Sequence, residues 1–296
     1  MALLLYDAAT LTQKMDDLKN KTLTLRGKEL SLELPVVMGI LNTTPDSFSD
    51  GGQFIMHKKA IGRIEEMIGQ GAAIIDVGGE STRPGAEPVS AETEAERVIP
   101  VLEEAVSLFP NTFFSVDTTK YSVAKQALEA GAHIVNDVSG LRKEPELADL
   151  CANYNAGYIL MHSLKDPKTM QENPDYDDVV DDILQFLTHQ TKILSEKGVQ
   201  SIIVDPGIGF GKTTEHNLRI IKELKKFSTL KYPVMLGASR KSMIGNVLNE
   251  RPVDGRLAGT VAAHYHGLMN GADILRVHDV EEAADSVEMF NRISKS

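Results

Sequence analysis

The sequence predicts a (β/α)8 TIM barrel, α/β in class, with a short N-terminal hairpin extension, and three observations carry that expectation. Eight short, nearly continuous apolar runs end in polar or glycine residues. Each run is followed by a stretch with helical periodicity, and the units together span about 250 residues, the usual size of such a barrel. Continuous hydrophobicity suits parallel strands covered on both faces. An open doubly wound sheet competes, but no G-x-G-x-x-G turn follows the first strand, and polar residues gather at the ends of nearly all the strands, not at one switch point.

Residues 1–35 form the extension. Within it, Thr22–Leu34 alternates apolar and polar residues around Arg26-Gly27-Lys28, as a hairpin does, and is placed over the bottom of the barrel as a lid. Residues 36–296 form the barrel, one domain, because no Pro/Gly/Ser-rich linker divides them. Strands are expected at Val36–Asn42, Ile74–Gly79, Phe113–Thr118, Ile134–Ser139, Gly157–Ser163, Ile202–Gly207, Val234–Ser239 and Ile274–Asp279. The helices between and after them are expected at His57–Gln70, Ala91–Val106, Lys120–Ala130, Glu146–Asn155, Asp178–Lys197, Thr213–Phe227, Arg256–Asn270 and Glu281–Ser294. Gly71, Gly131, Gly157, Gly198 and Gly271 stand where a residue able to take positive φ closes a helix.

Composition narrows the function. Lys and Arg number 31 against 42 Asp and Glu, a net charge of −11 that repels a phosphate backbone, so nucleic acid is not an expected partner. No apolar stretch approaches the ~18 residues needed to cross a bilayer, and the first residues lack a signal-peptide pattern, so a soluble, cytoplasmic protein with no membrane partner is expected. The single cysteine, Cys151, can form neither an internal disulfide nor a multi-cysteine zinc site and is expected to be a small buried residue.

In a barrel of this kind, the C-terminal strand ends share the face that carries chemistry. They bring Asn42, Asp76, Asp117, Asn136, Asp137, His162, Asp205, Ser239, Lys241, Arg276 and His278. Asp117, Asn136 and Asp205 can hydrogen-bond a planar, nitrogen-rich heterocycle with an amino-substituted edge. Asn42, Lys241, Arg276 and His278 can hold an anion such as a diphosphate: an amide oxygen for Mg2+, a point charge, a two-pronged guanidinium and an imidazole. Asp76 and Asp137 are instead expected to cap helices or fix loops. His162 stays open between the two uses. His133, which begins its strand, is read as structural, and His264 and His266 do not share a helix face and are set aside as metal ligands.

Three loops stand out. Asn42-Thr43-Thr44-Pro45-Asp46-Ser47-Phe48-Ser49-Asp50-Gly51-Gly52 is rich in turn formers, and Gly78-Gly79-Glu80-Ser81-Thr82-Arg83-Pro84-Gly85 carries a cation at its centre. Loops over a barrel mouth commonly close on substrate. Asp205-Pro206-Gly207-Ile208-Gly209-Phe210-Gly211-Lys212 is not a P-loop, since proline occupies the position that motif requires to be glycine. Its glycines are expected to let backbone approach a flat ligand while Phe210 lines the entrance.

These motifs, with Met38-Gly39-Ile40-Leu41 before the first loop, Asp76-Val77 before the second, Ser239-Arg240-Lys241-Ser242 and Arg276-Val277-His278-Asp279, resemble the dihydropteroate synthase family of bacterial folate biosynthesis over about residues 36–290. The resemblance implies an enzyme that joins 6-hydroxymethyl-7,8-dihydropterin diphosphate to 4-aminobenzoate and releases pyrophosphate, with Mg2+, as a homodimer and sulfonamide target. It implies a pterin pocket of Asp117, Asn136, Asp205 and Lys241, a metal contact at Asn42, and a diphosphate site of Asn42, Arg276 and His278. Phe48, Asp50, Thr82, Arg83, Pro84, Phe210 and Ser242 would serve 4-aminobenzoate and the closing loops. Thr43 stands where a branched aliphatic residue is common, and nothing is inserted beside Phe210. A cation-like path, in which the ring delocalises charge as the C–O bond breaks, fits these residues. Alternatives are a pterin-dependent methyltransferase barrel, which has no use for a diphosphate site, and a non-catalytic pterin-binding protein.

Overall fold

The computed structural model describes residues 22–44, 53–81, 86–164 and 174–296. Two short antiparallel strands, β1 (Thr22–Leu25) and β2 (Lys28–Ser31), form a hairpin whose turn residues Arg26 and Gly27 both have positive φ, the geometry that matches strand twist across a two-residue loop. Eight parallel strands follow, with helices between them. In chain order they are β3 (Val36–Asn42), α1 (Gln53–Gly69), β4 (Ala72–Gly78), α2 (Ala91–Leu108), β5 (Phe113–Asp117), α3 (Tyr121–Glu129), β6 (Ile134–Asp137), α4 (Leu147–Tyr154) and β7 (Gly157–Met161). Then come α5 (Val179–Glu196), β8 (Ile202–Asp205), α6 (Thr214–Lys222), β9 (Met235–Leu236), α7 (Ser242–Val247), α8 (Leu257–Met269), β10 (Ile274–Val277) and α9 (Val280–Lys295).

The sheet runs β8-β7-β6-β5-β4-β3-β10-β9, and a bridge between Val204 and Val234 brings its two edges together, so the barrel is nearly closed. Met38, Ile74, Phe113, Ile134, Ile159, Ile203, Met235 and Ile274, one from each strand, form the lower interior layer. Leu23, Leu25, Leu30 and Leu32 of the hairpin segment pack on that layer and close the bottom. Main-chain ties hold the hairpin there: Arg26 Nη1 donates to Leu128 O (2.6 Å) and Ala132 O (2.8 Å), and Ser201 Oγ donates to Thr24 O (2.8 Å). A plugged bottom leaves the opposite rim as the accessible end.

Local sequence explains most elements and the departures from expectation. Ser90 caps α2 by accepting from Thr93 N, and Asp178 caps α5 by accepting from Val180 N and Asp181 N. The region expected as one helix from Thr213 to Phe227 breaks after Lys222 into a 3-10 turn at Leu224–Leu230, and α7 is a short helix that periodicity does not reveal. Cys151 is buried in α4, and burial pushes its thiol pKa up.

Gly71, Gly131, Gly198 and Gly271 take positive φ as expected, but Gly157 does not: Asn155 supplies the left-handed residue after α4 (φ 50°). Gly157 is needed for a different reason. A Cβ there would lie 2.5 Å from Leu25 Cδ2, so the glycine makes room for the hairpin's buried leucine. Gly157→Ala is expected to lower stability by about 1–3 kcal/mol, the usual cost of overpacking, seen as a lower urea midpoint at unchanged slope. Combining it with Leu25→Val should cost less than the sum of the two single changes; strict additivity would rule the contact out as the cause.

Candidate active site

The barrel brings the strand-end residues to one rim. Arg276, on β10, reaches across the barrel mouth: Nε donates to Asp76 Oδ2 (2.7 Å) and Nη2 lies 2.6 Å from both Asp76 Oδ2 and Asp117 Oδ2. Asn136 Nδ2 donates to the same Asp76 oxygen (3.0 Å), while Asp76 Oδ1 is buried without a hydrogen-bond partner among the described residues. Glycines without side chains let these groups converge. A Cβ at Gly78 would stand 3.5 Å from Asp117 Cβ and 3.9 Å from Asn42 Oδ1, and one at Gly237 would stand 3.9 Å from both Asp205 Oδ2 and Arg276 Cβ. Asn42, Asp117, Arg276 and Asp205 therefore face one space.

Lys241 enters from the other side. Arg240 takes positive φ (55°), and its guanidinium forms a two-pronged pair with Asp279, which ties the segment after β9 to the segment after β10. The turn delivers Lys241 to the start of α7, with Nζ 4.2 Å from the centre of the Phe210 ring. A Cβ at Gly209 would lie 3.1 Å from Lys241 Cδ, so the glycine loop and the lysine pack directly together. Beside them, His278 Nδ1 is 3.0 Å from Ser239 Oγ, and Arg63 Nη2 donates to His278 O (3.0 Å). Ser242, exposed at the start of α7, follows Lys241 on this rim.

The electrostatics follow from burial and from the count of charges. One guanidinium faces two carboxylates. Burial first, then Asp76 and Glu94, raise Asp117 to about 7 against the opposing pull of Arg276 and Lys241. Burial also raises Asp205, against a hydrogen bond from Gly207 N to Oδ1 (2.7 Å) and the nearby cations. Burial lowers Lys241 to about 8, helped by Arg276. For Arg276 itself burial pulls downward, but Asp76 and Asp117 outweigh it and hold the guanidinium charged. Burial, with Arg276 and Arg240, brings His278 down to about 4, so the imidazole is neutral and offers a hydrogen bond, not a charge.

Several expectations need correcting. Asp76 neither caps a helix nor fixes a loop; it is the principal partner of Arg276. The ring-binding and anion-binding sets, which the sequence suggested as two separate groups, are joined through the Arg276–Asp117 pair. Phe210 is almost wholly buried, packed beside Val138 and Met161 with Lys241 Nζ over its ring. Asp137 does fix a loop, accepting from Ser139 N, Leu141 N and Tyr158 Oη. His133 Nδ1 accepts from Phe114 N and His264 Nε2 from Ala238 N, both structural contacts. Thr43 is buried, its Oγ1 donating to Gly78 O (3.1 Å). Phe48, Asp50, Thr82, Arg83 and Pro84 lie outside the described residues.

Sequence reasoning missed three contributors. Arg63 holds the backbone of His278. Lys120 pairs with both Glu80 and Glu94 at the root of the second loop, and although burial pulls its pKa down the two carboxylates raise it. Lys212, set aside with the failed P-loop, is buried at the end of the glycine loop. A basic residue beside a glycine run is the signal that could have found Lys212; Arg63, in a charged stretch of α1, and Lys120, just before α3, carry no comparable signal.

Among the described residues no group of three or more His, Cys, Asp and Glu side chains is placed to hold a metal, and no helix is long and apolar enough to cross a membrane. The pterin binding enzyme family matches residues 38–278. A dihydropteroate synthase of Synechocystis sp. is 47% identical over 250 residues, covering 84% of this chain and 86% of its own length. The structure of a Xanthomonas albilineans dihydropteroate synthase with 4-aminobenzoic acid superposes with a TM-score of 0.87 at 39% identity, over 93% of this chain and 98% of that one. The Yersinia pestis dihydropteroate synthase in complex with a sulfonamide drug gives a TM-score of 0.87 at 41% identity, over 93% of this chain and all of that one.

Proposed function

The chain belongs to the dihydropteroate synthase family of pterin-binding enzymes, and from that membership we propose that its rim divides the reaction between a ring-binding wall and a leaving-group wall that meet at Arg276. The enzyme transfers a (7,8-dihydropterin-6-yl)methyl group from its diphosphate to the amine of 4-aminobenzoate, breaking the methylene C–O bond, forming a C–N bond and giving 7,8-dihydropteroate, pyrophosphate and the proton lost by the amine. The observation that carries the division of labour is Arg276 held between Asp76 and Asp117. Its Nε and Nη2 are committed to carboxylates, and Nη1, without a partner among the described residues, is left for an anion.

In this reading Asp117, Asn136 and Asp205 accept from and donate to the pterin edge, with Lys241, held over the Phe210 ring, beside them. Nη1 of Arg276 and the neutral imidazole of His278 meet the oxygens of the departing diphosphate, where preorganised donors count most because charge grows there as the bond breaks. Asn42 fits Mg2+ as one neutral amide oxygen beside Asp117, since this ion takes few protein ligands and completes its shell with water and substrate phosphates. Mg2+ bound there would neutralise diphosphate charge. The carboxylates at the ring favour an electron-poor pterin, so a cation-like path follows. Replacing the methylene hydrogens with deuterium is expected to give a normal secondary isotope effect; a value near unity would argue for an associative path.

Thr82, Arg83, Pro84, Phe48, Asp50, Phe210 and Ser242 are assigned to 4-aminobenzoate and to loop closure. The decisive assay mixes the pterin diphosphate, 4-aminobenzoate and Mg2+ and measures pyrophosphate. Lys241→Ala should raise KM for the pterin substrate about tenfold or more, as loss of a charged hydrogen-bonding group does, and Arg83→Ala should raise KM for 4-aminobenzoate instead. Equal, small effects on both substrates would refute this site map. A homodimer suits the apolar side chains exposed on neighbouring elements, Leu218 on α6, Val247 on α7, Val253 in the 3-10 turn before α8, and Leu257 at the start of α8. Sedimentation should show a dimer that Val247→Glu disrupts. We place the working enzyme in the cytoplasm.

A further inference from the structure

Lys212 is a buried cation that the reaction as described does not use. Its chain turns back from the end of the glycine loop to the end of β7, where Nζ donates to His162 O (3.2 Å) and Phe210 O (3.0 Å) and lies 3.0 Å from His162 Nδ1. Three acceptors meet three N–H bonds, the donor count of an ammonium. The imidazole is suited to accept: burial first, then Lys212 and Arg142, bring His162 down to about 2, so Nδ1 carries a lone pair. Phe186 packs edge-on against that ring at 5.0 Å and fixes its plane.

The same loop carries Asp205. Gly207 N donates to Asp205 Oδ1 (2.7 Å), and Gly207 sits at φ 72° so close to β7 that a Cβ would be 1.9 Å from His162 O. Tyr176 Oη donates to Gly211 O (2.8 Å), a second tie that carries no charge. A plug needed only for packing would be cheaper as an apolar side chain, because burying an ammonium costs free energy that contacts rarely recover in full. We propose that Lys212 is a positioning residue for the pterin substrate: its ammonium clamps the Asp205–Gly211 loop onto β7 and supplies positive charge behind the Asp205 carboxylate.

The charged groups around this carboxylate are Lys241 from the start of α7, Arg276 from β10 and Lys212 itself, with Arg142, after β6, also facing Lys212 and His162. Burial lowers Lys212 to about 7 while Asp205 opposes the shift, so its charge is fullest on the acid side of neutrality. There Asp205, itself raised by burial, needs a cation most to stay ionised.

The inference rests on the reading of Asp205 as a pterin-edge acceptor, and a separate variant tests that reading. Binding of a bare pterin ring to the intact protein is measured by calorimetry near pH 6.5 and near pH 8. In Lys212→Met the affinity is expected to fall about tenfold near pH 6.5 and less than about threefold near pH 8, as lost support for a carboxylate's charge dictates. KM for the pterin diphosphate should rise while KM for 4-aminobenzoate stays. Tyr176→Phe, which loosens the same loop without removing charge, should lower affinity equally at both pH values. Equal losses in Lys212→Met at the two pH values, near-native affinity at both, or the same pH dependence in Tyr176→Phe would each overturn the proposal. Should Lys212→Met not fold, Lys212→Gln, which keeps donors for the two carbonyls, is read by the same criteria. Asp205→Asn distinguishes the underlying reading: retained pterin affinity there refutes Asp205 as the ring acceptor whatever Lys212 does.

Discussion

Arg276→Met is expected to reduce kcat about 100- to 1,000-fold, the usual loss when one preorganised donor to a developing oxyanion is removed. It should also destabilise the fold by about 3–5 kcal/mol, because removing the cation that bridges two buried carboxylates leaves Asp76 without its ion-pair partner and Asp117 with only the weaker pull of Lys241. The side chains involved are close to fully enclosed, with 17% of Arg276, 0% of Asp76 and 10% of Asp117 exposed, so solvent screens little of that loss. The two effects are separable. In Arg276→Met the buried Asp117 carboxyl, already raised by burial, can relieve itself by taking a proton, so the Tm deficit relative to the native enzyme should shrink as pH falls from neutrality towards about 5. Adding Asp76→Asn should restore much of the stability and none of the activity. Arg276→Lys should fail as well, since one ammonium cannot reproduce a fork that grips two carboxylates and still offers a third nitrogen. A near-native kcat in Arg276→Lys would show that charge alone suffices and would refute the role assigned to Nη1.

Residues 200 positions apart make this pair, and that separation marks the limit of what could be read in the chain. The barrel was legible because its two periodicities alternate eight times, and the site was legible because parallel strands deliver their last residues to one rim whatever their order in sequence. Asn42, Asp117, Asn136, Asp205, Lys241, Arg276 and His278 came from that rule and do meet there. Pairing among them was not legible, because a strand-end Asp looks the same whether it caps a helix, as anticipated for Asp76, or neutralises an arginine across the barrel mouth. Lys212 was hidden for a related reason: its partner His162 is 50 residues away, and only the turn of the glycine loop brings them together. Gly157 shows the opposite error. A local rule for helix closure explained it before the fold did, yet the cause is a leucine from the hairpin, 132 residues earlier in the chain by numbering (157 − 25).

The pH dependence of pterin recognition should be narrow, with kcat/KM for the pterin substrate highest between about 7 and 8. Asp117 titrates at about 7 because burial, Asp76 and Glu94 outweigh Arg276 and Lys241; below that it is protonated and loses its power as an acceptor for the ring. Lys241 titrates at about 8 because burial and Arg276 outweigh the carboxylates; above that it is neutral. Apparent values belong to the coupled cluster, so both limbs should move when either residue is changed. Asp117→Asn is expected to remove most of the acid limb and to cost at least about tenfold in affinity, and Lys241→Met should remove the alkaline limb. The same shifts run against stability. Between about 4 and 7 the folded enzyme binds a proton on Asp117 that the unfolded chain has lost, so this group's contribution falls as pH rises through that window. Between about 8 and 10.5 the folded enzyme has lost the Lys241 proton that the unfolded chain keeps, so that contribution grows with pH. From these two groups the protein is least stable where it is most active, the trade expected when a site holds charges ready for a substrate in place of solvent. Urea midpoints followed across pH provide the check. Relative to the native enzyme, Asp117→Asn should gain stability from pH 5 to 7.5, and a constant difference would mean that Asp117 is ionised throughout, its burial outweighed by the cations beside it.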